Sequence, residues 1–151
     1  NVRRRLGSPE HWLRVFETLT PLADVVLVGA DDASYVLPSS DLGRTAAWFR
    51  ERGVEHLVWK DGAEGATEIT PQDGTVVQAA RSVPATDTVG AGDAFAAGWI
   101  SAWLDGERAQ ARLRRAVTVA ASVVANRGDL PGLPDRATLQ TLLSSSTEMD
   151  R

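Results

Sequence analysis

Three small residues followed by an acid form the segment of this sequence with the clearest chemical meaning. Gly90, Ala91 and Gly92 stand directly before Asp93, and an apolar stretch rich in small residues follows them. Glycines let the backbone adopt unusual dihedral angles and approach a ligand closely. The first amides of a helix lie at the positive end of its dipole. The pattern therefore predicts a helix start that binds a phosphate, with a carboxylate beside it.

This arrangement suits phosphoryl transfer. Backbone amides can stabilise charge on the equatorial oxygens of the phosphoryl group, and Asp93 would accept the proton of an attacking hydroxyl. A free aspartate has a pKa of about 3.9, but the transition state is loose and positioning counts most. On the residues alone a structural interpretation stays open, because an acid near a helix start is favoured by capping and by the dipole. The segment is neither a GxxxxGK[ST] loop nor a full GxGxxG fingerprint.

The elements that must position this segment predict an α/β fold. Short runs of β-branched and apolar residues indicate four strands, at 25–28, 54–59, 66–70 and 75–79. The last two flank an Asp73-Gly74 turn, a hairpin signal. Helical patterns begin after Ser8, stop at Pro21, and recur at 31–37, 41–52, 94–104, 109–125 and 135–143. Strands that alternate with helices indicate a mostly parallel sheet flanked by helices, with an antiparallel edge.

Composition excludes several classes of protein. The 151 residues fit one domain, and we expect it to span 1–143, with a polar, frayed tail at 144–151. The chain has no cysteine, which excludes disulfides and thiolate chemistry. The net charge of -4 gives no general attraction to nucleic acid or to anionic membranes, so we expect neither partner. The longest apolar run, 94–104, is shorter than the roughly 20 residues that cross a bilayer. A cytoplasmic location is expected.

The segment from Asp87 to Gly98 closely resembles the C-terminal signature of the ribokinase-like (PfkB) carbohydrate kinases, D-T-x-G-A-G-D followed by an apolar helix. In that family the Gly-Ala-Gly backbone forms an anion hole and the following Asp is the catalytic base. The resemblance implies that Gly90, Ala91 and Gly92 bind the transferring phosphoryl group and ATP. It also implies that Asp93 is the base, contacts the substrate, and belongs to an ATP-dependent sugar kinase with a ribokinase-like fold.

Two further segments resemble the nucleotide site of the same family. Lys60, Gly62 and Gly65 follow a predicted strand in the family's x-x-G-x-x-G arrangement, where glycines let the backbone lie against ATP. The structural alternative is a hairpin turn, with Lys60 at an exposed strand end. Asn126 opens a loop that resembles the wall of the adenine pocket, although most of the preceding helix is expected to be core.

Some members of the family bind a monovalent cation beside the anion hole. The resemblance maps that site to Asp87, Val89 and the loop Asn126–Gly128. The structural alternative is that Asp87 forms an Asx-turn that braces the loop. Magnesium in the family is associated with an N-x-x-E element, which here reads Gly29-Ala30-Asp31-Asp32. Asp32 would act on Mg²⁺ through water, and helix N-capping by Asp31 or Asp32 is the alternative.

The chain start is similar to the 2-keto-3-deoxygluconate kinase subgroup. Asn1-Val2-Arg3 looks like the tail of its D-x-N-x-R element, whose Arg helps to hold the sugar acid's carboxylate, a role that suits a planar guanidinium. The alternative is a solvated basic terminus. The resemblance thus implies formation of the 6-phosphate of this sugar acid. A neutral sugar kinase of the ribokinase, fructokinase or adenosine kinase type, or a nucleotide-binding module without turnover, stays open.

The resemblance covers only the C-terminal half of a family member. The N-terminal half supplies the first strands of the sheet, a small β lid and most sugar contacts. We therefore expect a fragment without the lid, or a chain whose N-terminal part is missing. A homo-oligomer is an expectation for the full-length protein.

Overall fold

The computed structural model describes residues 2–128 and 130–149, with side chains up to residue 145. The chain folds into two compact units. One contains the residues up to Gly62 together with Thr67–Val76, and the other contains Ala63–Ala66 and the residues from Val77 onward. The two units are described separately below.

Two helices of the first unit begin with a side-chain cap, and the sequence predicts the one at Ser8. The Ser8 hydroxyl accepts a hydrogen bond from His11 N at 3.3 Å, and Pro9 follows in the first helical turn. Asp41 does the same for the helix that begins at Leu42, accepting from Arg44 N at 2.9 Å. The helices of this unit are α1 (Pro9–Leu19), α2 (Ala30–Val36) and α3 (Leu42–Arg50), and a short 3-10 turn (Thr20–Leu22) follows α1.

The sheet has four strands in the order β1-β2-β3-β4. Their bounds are β1 (Val25–Gly29), β2 (His56–Lys60), β3 (Ala66–Thr70) and β4 (Gly74–Gln78). β1 and β2 are parallel, in a register that runs from Val25 opposite His56 to Gly29 opposite Lys60. The connections from β2 to β3 and from β3 to β4 are too short for a parallel crossover of about a dozen residues, so these neighbours are antiparallel. The predicted antiparallel edge is therefore present.

The core of the first unit lies between this sheet and its helices. Val28 from β1, Phe49 from α3 and Trp59 from β2 are all buried in one apolar cluster. Phe16 of α1 packs against the same cluster. Burial of these side chains fixes β1 and β2, and so fixes the edge at which both strands end.

The second unit contains three helices: α4 (Ala91–Leu104), α5 (Ala109–Val124) and α6 (Arg136–Met149). Trp99 of α4 and Leu113 of α5 are almost completely buried. At Gly98 the two helices approach so closely that an added Cβ would lie 3.0 Å from the Cα of Ala116. This close packing makes α4 a rigid support for the residues at its start.

Three details of this unit differ from the sequence-based expectation. α4 begins at Ala91 rather than Ala94, because Gly90 takes the N-cap position and the helix continues directly from it. α6 continues past Leu143 to Met149. Trp103 falls at helical spacing from Trp99, a pattern that predicts a core position, but it is 45% exposed, because α4 packs on α5 through its other face. In the described part of the chain, no helix is both long and apolar enough to cross a membrane.

Candidate phosphate-binding and catalytic site

The start of α4 has the backbone geometry that the small-residue pattern predicts. Gly90 has φ +79° and ψ -9°, a left-handed conformation that glycine adopts at little steric cost. Ala91 N donates to Thr88 O at 3.3 Å, and the first bond of the helical ladder runs from Ala94 N to Gly90 O at 2.8 Å. The amides of residues 91–93 therefore precede the ladder at the positive end of the helix. This arrangement fits a bound phosphate.

Asp93 lies in the first turn of the same helix, and its side chain is exposed. The next residues along the helix, Ala94 and Phe95, are buried. The carboxylate is thus carried by a helix whose opposite face is fixed in the core. Rigid placement of this kind is what a positioned base needs.

Asp87 braces the loop that leads into α4. Its Oδ1 accepts a hydrogen bond from Val89 N at 3.0 Å, which confirms the predicted Asx-turn. Its Oδ2 accepts a second bond from Gly128 N at 3.2 Å. These two amide donors, with a smaller contribution from the charge of Arg127, hold the pKa of the Asp87 carboxyl below its usual value.

Backbone contacts also join this loop to the end of α5. Thr86 N and Asp87 N both donate to Val124 O, at 2.9 and 3.2 Å. Asn126 is exposed, and its Nδ2 donates to Ser122 O at 2.8 Å. The second unit therefore brings the anion-hole segment and the Asn126 loop together, although the role of Asn126 at adenine stays a prediction.

The loop after β2 contains the two glycines expected to contact nucleotide. Gly62 has φ +53°, and it is exposed with open space where a Cβ would stand. Gly65 has φ +108°, and a Cβ there would lie 2.1 Å from Gln78 O. Packing within the chain alone therefore requires glycine at residue 65. Lys60 is the last residue of β2 and pairs in register with Gly29.

Asp32 lies in the first turn of α2, beside Asp31. The N-cap of this helix is Gly29, without a side-chain cap, so the alternative that Asp31 or Asp32 is the N-cap is wrong. β1 and β2 are parallel neighbours, so their C-terminal ends lie at the same edge of the sheet. The start of α2, which follows β1, and Lys60, the last residue of β2, are therefore both at that edge. Among the described residues no group of three or more His, Cys, Asp or Glu could hold a metal. The role of Asp32 toward Mg²⁺ through water stays a prediction.

Arg3 is exposed in the first unit, and its backbone is held in place. Its carbonyl oxygen accepts hydrogen bonds from Leu6 N at 2.8 Å and from Trp12 Nε1 at 3.3 Å. Asn1, the first residue of the segment quoted for the sugar-acid subgroup, lies outside the described residues. The guanidinium is accessible to a ligand, and its substrate role stays a prediction.

The family resemblance places Asp87 and the loop at Gly128 in one expected cation site, but the direct hydrogen bond between them was not predicted. The two residues lie 41 positions apart, and neither has a local pattern that announces the other. Only the Asx-turn half of the arrangement has a sequence signal, an Asp two residues before the amide that it accepts from.

Comparison with known proteins gives consistent matches. Residues 1–136 match the profile of the family described as pfkB family carbohydrate kinase. The 2-dehydro-3-deoxygluconokinase of Thermoproteus tenax is 34% identical over 131 residues, covering 87% of this chain and 40% of that protein. This chain thus spans under half the length of that relative.

Solved structures with the same fold include a protein assigned as ribokinase II from E. coli, in its apo form. Its TM-score is 0.84 at 26% identity, over 96% of this chain and 46% of that one. The aminoimidazole riboside kinase of Salmonella enterica, complexed with aminoimidazole riboside and an ATP analogue, has a TM-score of 0.81 at 27% identity, over 95% of this chain and 50% of that one. The fold is therefore ribokinase-like.

Proposed function

Since this chain belongs to the pfkB family of carbohydrate kinases, we propose that it carries the ATP-binding and catalytic part of a kinase that phosphorylates a sugar hydroxyl. The observation that carries the proposal is the start of α4. A left-handed glycine begins the helix, the helical ladder begins only at Ala94 N, and a carboxylate stands in the first turn. An anion site and a proton acceptor on one rigid element are the two requirements of phosphoryl transfer to an alcohol.

This geometry supports the following roles for the chain's own residues. The backbone of Gly90, Ala91 and Gly92 binds the transferring phosphoryl group and stabilises its developing charge. Asp93 accepts the proton of the attacking hydroxyl and keeps its oxygen in line for transfer. When bound, Mg-ATP supplies the phosphoryl group, and the metal neutralises phosphate charge.

The nucleotide contacts are proposed from the loops described above. Lys60 contacts phosphate, Gly62 and Gly65 let the backbone lie near ATP, and Asn126 lies beside adenine. The ATP analogue bound by the aminoimidazole riboside kinase supports ATP as the donor. Asp32 acts on Mg²⁺ through water. A monovalent cation near Asp87 is a further prediction of the family resemblance.

The substrate that we favour is 2-keto-3-deoxygluconate, phosphorylated at its 6-hydroxyl. The identity with the Thermoproteus tenax 2-dehydro-3-deoxygluconokinase supports this choice, and an exposed Arg3 suits the carboxylate of a sugar acid. A neutral sugar or riboside is the second candidate, supported by the likeness to the riboside kinase. Cytoplasmic location and homo-oligomers of the whole protein stay predictions.

The first experiment measures coupled ADP release by the whole protein that contains this chain, with Mg-ATP and a panel of acidic and neutral sugars. We expect turnover that depends on a sugar, and an Asp93→Asn variant with kcat lower by roughly 10²–10⁴. Asp24→Asn, an exposed loop substitution, is the matched control and should keep wild-type kcat. ATP binding without sugar-dependent ADP release would support the non-catalytic module instead.

The same assay separates the two substrate classes. Arg3→Ala should raise KM for 2-keto-3-deoxygluconate by at least about tenfold, because a charge-assisted contact contributes roughly 1.5–3 kcal/mol, and should leave a neutral sugar unaffected. Arg5→Ala, which removes an exposed cation two residues away, is the control. Equal effects of Arg3→Ala on both classes of sugar would contradict the carboxylate role.

A further inference from the structure

The carboxylate of Asp87 is joined to two different loops by its two oxygens. Oδ1 accepts from Val89 N at 3.0 Å within the segment that leads to α4. Oδ2 accepts from Gly128 N at 3.2 Å in the loop that follows α5. The N-cap of α4 is Gly90, without a side-chain cap. Asp87 therefore does not cap the helix but links two loops.

A negative charge at this position needs an explanation, because it stands close to a helix start that suits a phosphate. If the Asx-turn to Val89 were all that was needed, asparagine would form it equally well and would add no repulsion. The second acceptor oxygen is what a carboxylate adds, because the amide nitrogen of asparagine is a donor and cannot accept from Gly128 N. The bond to Gly128 is thus the feature that specifically requires aspartate.

The consequence concerns the anion hole. Val89 immediately precedes Gly90, so the two bonds of Asp87 set where the left-handed glycine and the following amides lie relative to the end of α5. The amides of Thr86 and Asp87 both donate to Val124 O, so the start of the same loop is also bonded to the last residue of α5. A displacement of about 1 Å at such a site can cost on the order of 10²-fold in rate.

We propose that Asp87 is a positioning residue. Its two hydrogen bonds hold the segment that leads to the anion hole, residues 87–92, against the loop at Gly128 and so set the geometry of phosphoryl transfer. This inference rests on the proposed kinase function. Asp87 contacts neither sugar nor ATP in this role. Its loss should therefore lower kcat while leaving KM for the sugar almost unchanged.

The test compares three variants of the whole protein that contains this chain. Asp87→Asn keeps the Asx-turn and loses the bond to Gly128, so kcat should fall about tenfold. Asp87→Ala loses both bonds, and kcat should fall on the order of 10²-fold, with KM for the sugar changed less than about twofold. Asp135→Ala is the matched control, because Asp135 also accepts a backbone bond, from Thr138 N at 2.8 Å, at the start of a different helix, α6. It should lower the unfolding temperature and leave kcat unchanged.

A second measurement does not depend on turnover. Backbone amide NMR signals of Gly90, Ala91 and Gly92 should shift in Asp87→Asn and Asp87→Ala but not in Asp135→Ala. The positioning role of Asp87 is overturned if wild type shows sugar-dependent turnover and Asp87→Asn has the same kcat. It is equally overturned if these three amide signals do not move. It is also overturned if the only change in Asp87→Asn is loss of a K⁺ requirement, because Asp87 would then be a cation ligand. A wild type without turnover defeats the kinase proposal, while the amide signals still decide whether Asp87 positions the loop.

Discussion

Gly90 and Gly92 have different backbone conformations, and this difference separates their contributions to stability and to activity. Gly90 has φ +79°, so Gly90→Ala should cost about 1 kcal/mol or more of folding free energy. Gly92 lies in the helix, where Gly92→Ala should gain up to about 1 kcal/mol. Both methyl groups would intrude on the proposed phosphoryl site, so kcat should fall at least about tenfold in both variants.

Thermal unfolding and coupled ADP release check these two variants together. The informative result is Gly92→Ala, which should be more stable and less active than wild type. A Gly92→Ala variant with wild-type kcat would mean that the phosphoryl group does not approach this residue closely enough to need glycine.

Individual residues differ in how far the sequence predicts them. The left-handed glycine before α4 and the acid in its first turn follow from a local pattern, since each depends on the residues beside it. The contact between Asp87 and Gly128 depends on how α5 returns its C-terminal end to the loop before α4. Sequence patterns do not encode that return. The close packing at Gly65 has the same origin, because it depends on the backbone of residues 78–80.

At the scale of elements, the crossing of α4 and α5 depends on Gly98. A Cβ at this position would lie 3.0 Å from the Cα of Ala116, a backbone atom that cannot yield as a side chain can. Overpacking costs about 1–3 kcal/mol, and the gain in helix propensity of about 1 kcal/mol opposes it. We expect Gly98→Ala to destabilise the chain by ~1 kcal/mol in urea unfolding.

Gly43→Ala is the control for this prediction. It also replaces a helical glycine, but the added Cβ would meet a side-chain atom and not backbone, because its neighbour is the capping Oδ1 of Asp41 at 3.3 Å, which can shift by a few tenths of an ångström. This variant should be as stable as wild type or more stable. A Gly98→Ala chain that is stabilised as much as Gly43→Ala would show that the helices can move apart without cost.

The start of α6 should respond to acid. The hydrogen bond from the amide of Thr138, followed by that from the Thr138 side chain, holds the pKa of the Asp135 carboxyl below its usual value. A lowered folded-state pKa means that this stabilisation is present above the unfolded pKa of about 3.9 and is lost as pH falls through the folded pKa. The unfolding temperature of wild type should therefore exceed that of Asp135→Ala near neutral pH, and the difference should shrink below about pH 4.

Asp135→Asn provides the comparison, because asparagine is also a good N-cap but does not titrate. Its unfolding temperature relative to Asp135→Ala should stay constant over the same range. A wild-type difference that persists unchanged to pH 2.5 would contradict a contribution from the ionised carboxylate.

Element types were predictable because capping residues, turn residues and apolar periodicity agree with one another along most of the chain. Ser8 and Asp41 cap the helices that they precede, and Gly53, with φ +90°, follows the end of α3. The bounds that differ from the prediction include the start of α4, where Gly90 is the N-cap, and the end of α6. Within α6, the carbonyl oxygens of Leu142 and Leu143 accept hydrogen bonds from the guanidinium groups of Arg81 and Arg114, which lie elsewhere in the chain. No local pattern indicates these contacts.

At the scale of the whole molecule, charge and exposed apolar surface together determine solubility. The sequence has a net charge of -4 and an isoelectric point of about 5.1. Ile100, Trp103 and Leu104 leave apolar surface on α4, with Leu104 77% exposed. We expect light scattering by the 151-residue chain to be strongest near pH 5, where repulsion between molecules vanishes.

Leu104→Glu should reduce this scattering at neutral pH without lowering the unfolding temperature, because the replaced side chain is exposed. Val58→Glu, a buried position in β2, is the contrasting variant and should unfold the chain. Scattering at neutral pH that Leu104→Glu leaves unchanged would locate the association surface elsewhere.

The parallel register of β1 and β2 also limits how this sequence can vary in length. Lys60 lies beside Gly29 because the parallel register is unbroken from the pair Val25 and His56 onward. Deleting one residue within β2 would draw Lys60 about 3.3 Å along the strand and turn it to the opposite face of the sheet. An extra residue in the connection between α2 and α3 would leave that pairing intact. Insertions and deletions that accumulate in functional relatives should therefore fall in such connections and spare the two strands.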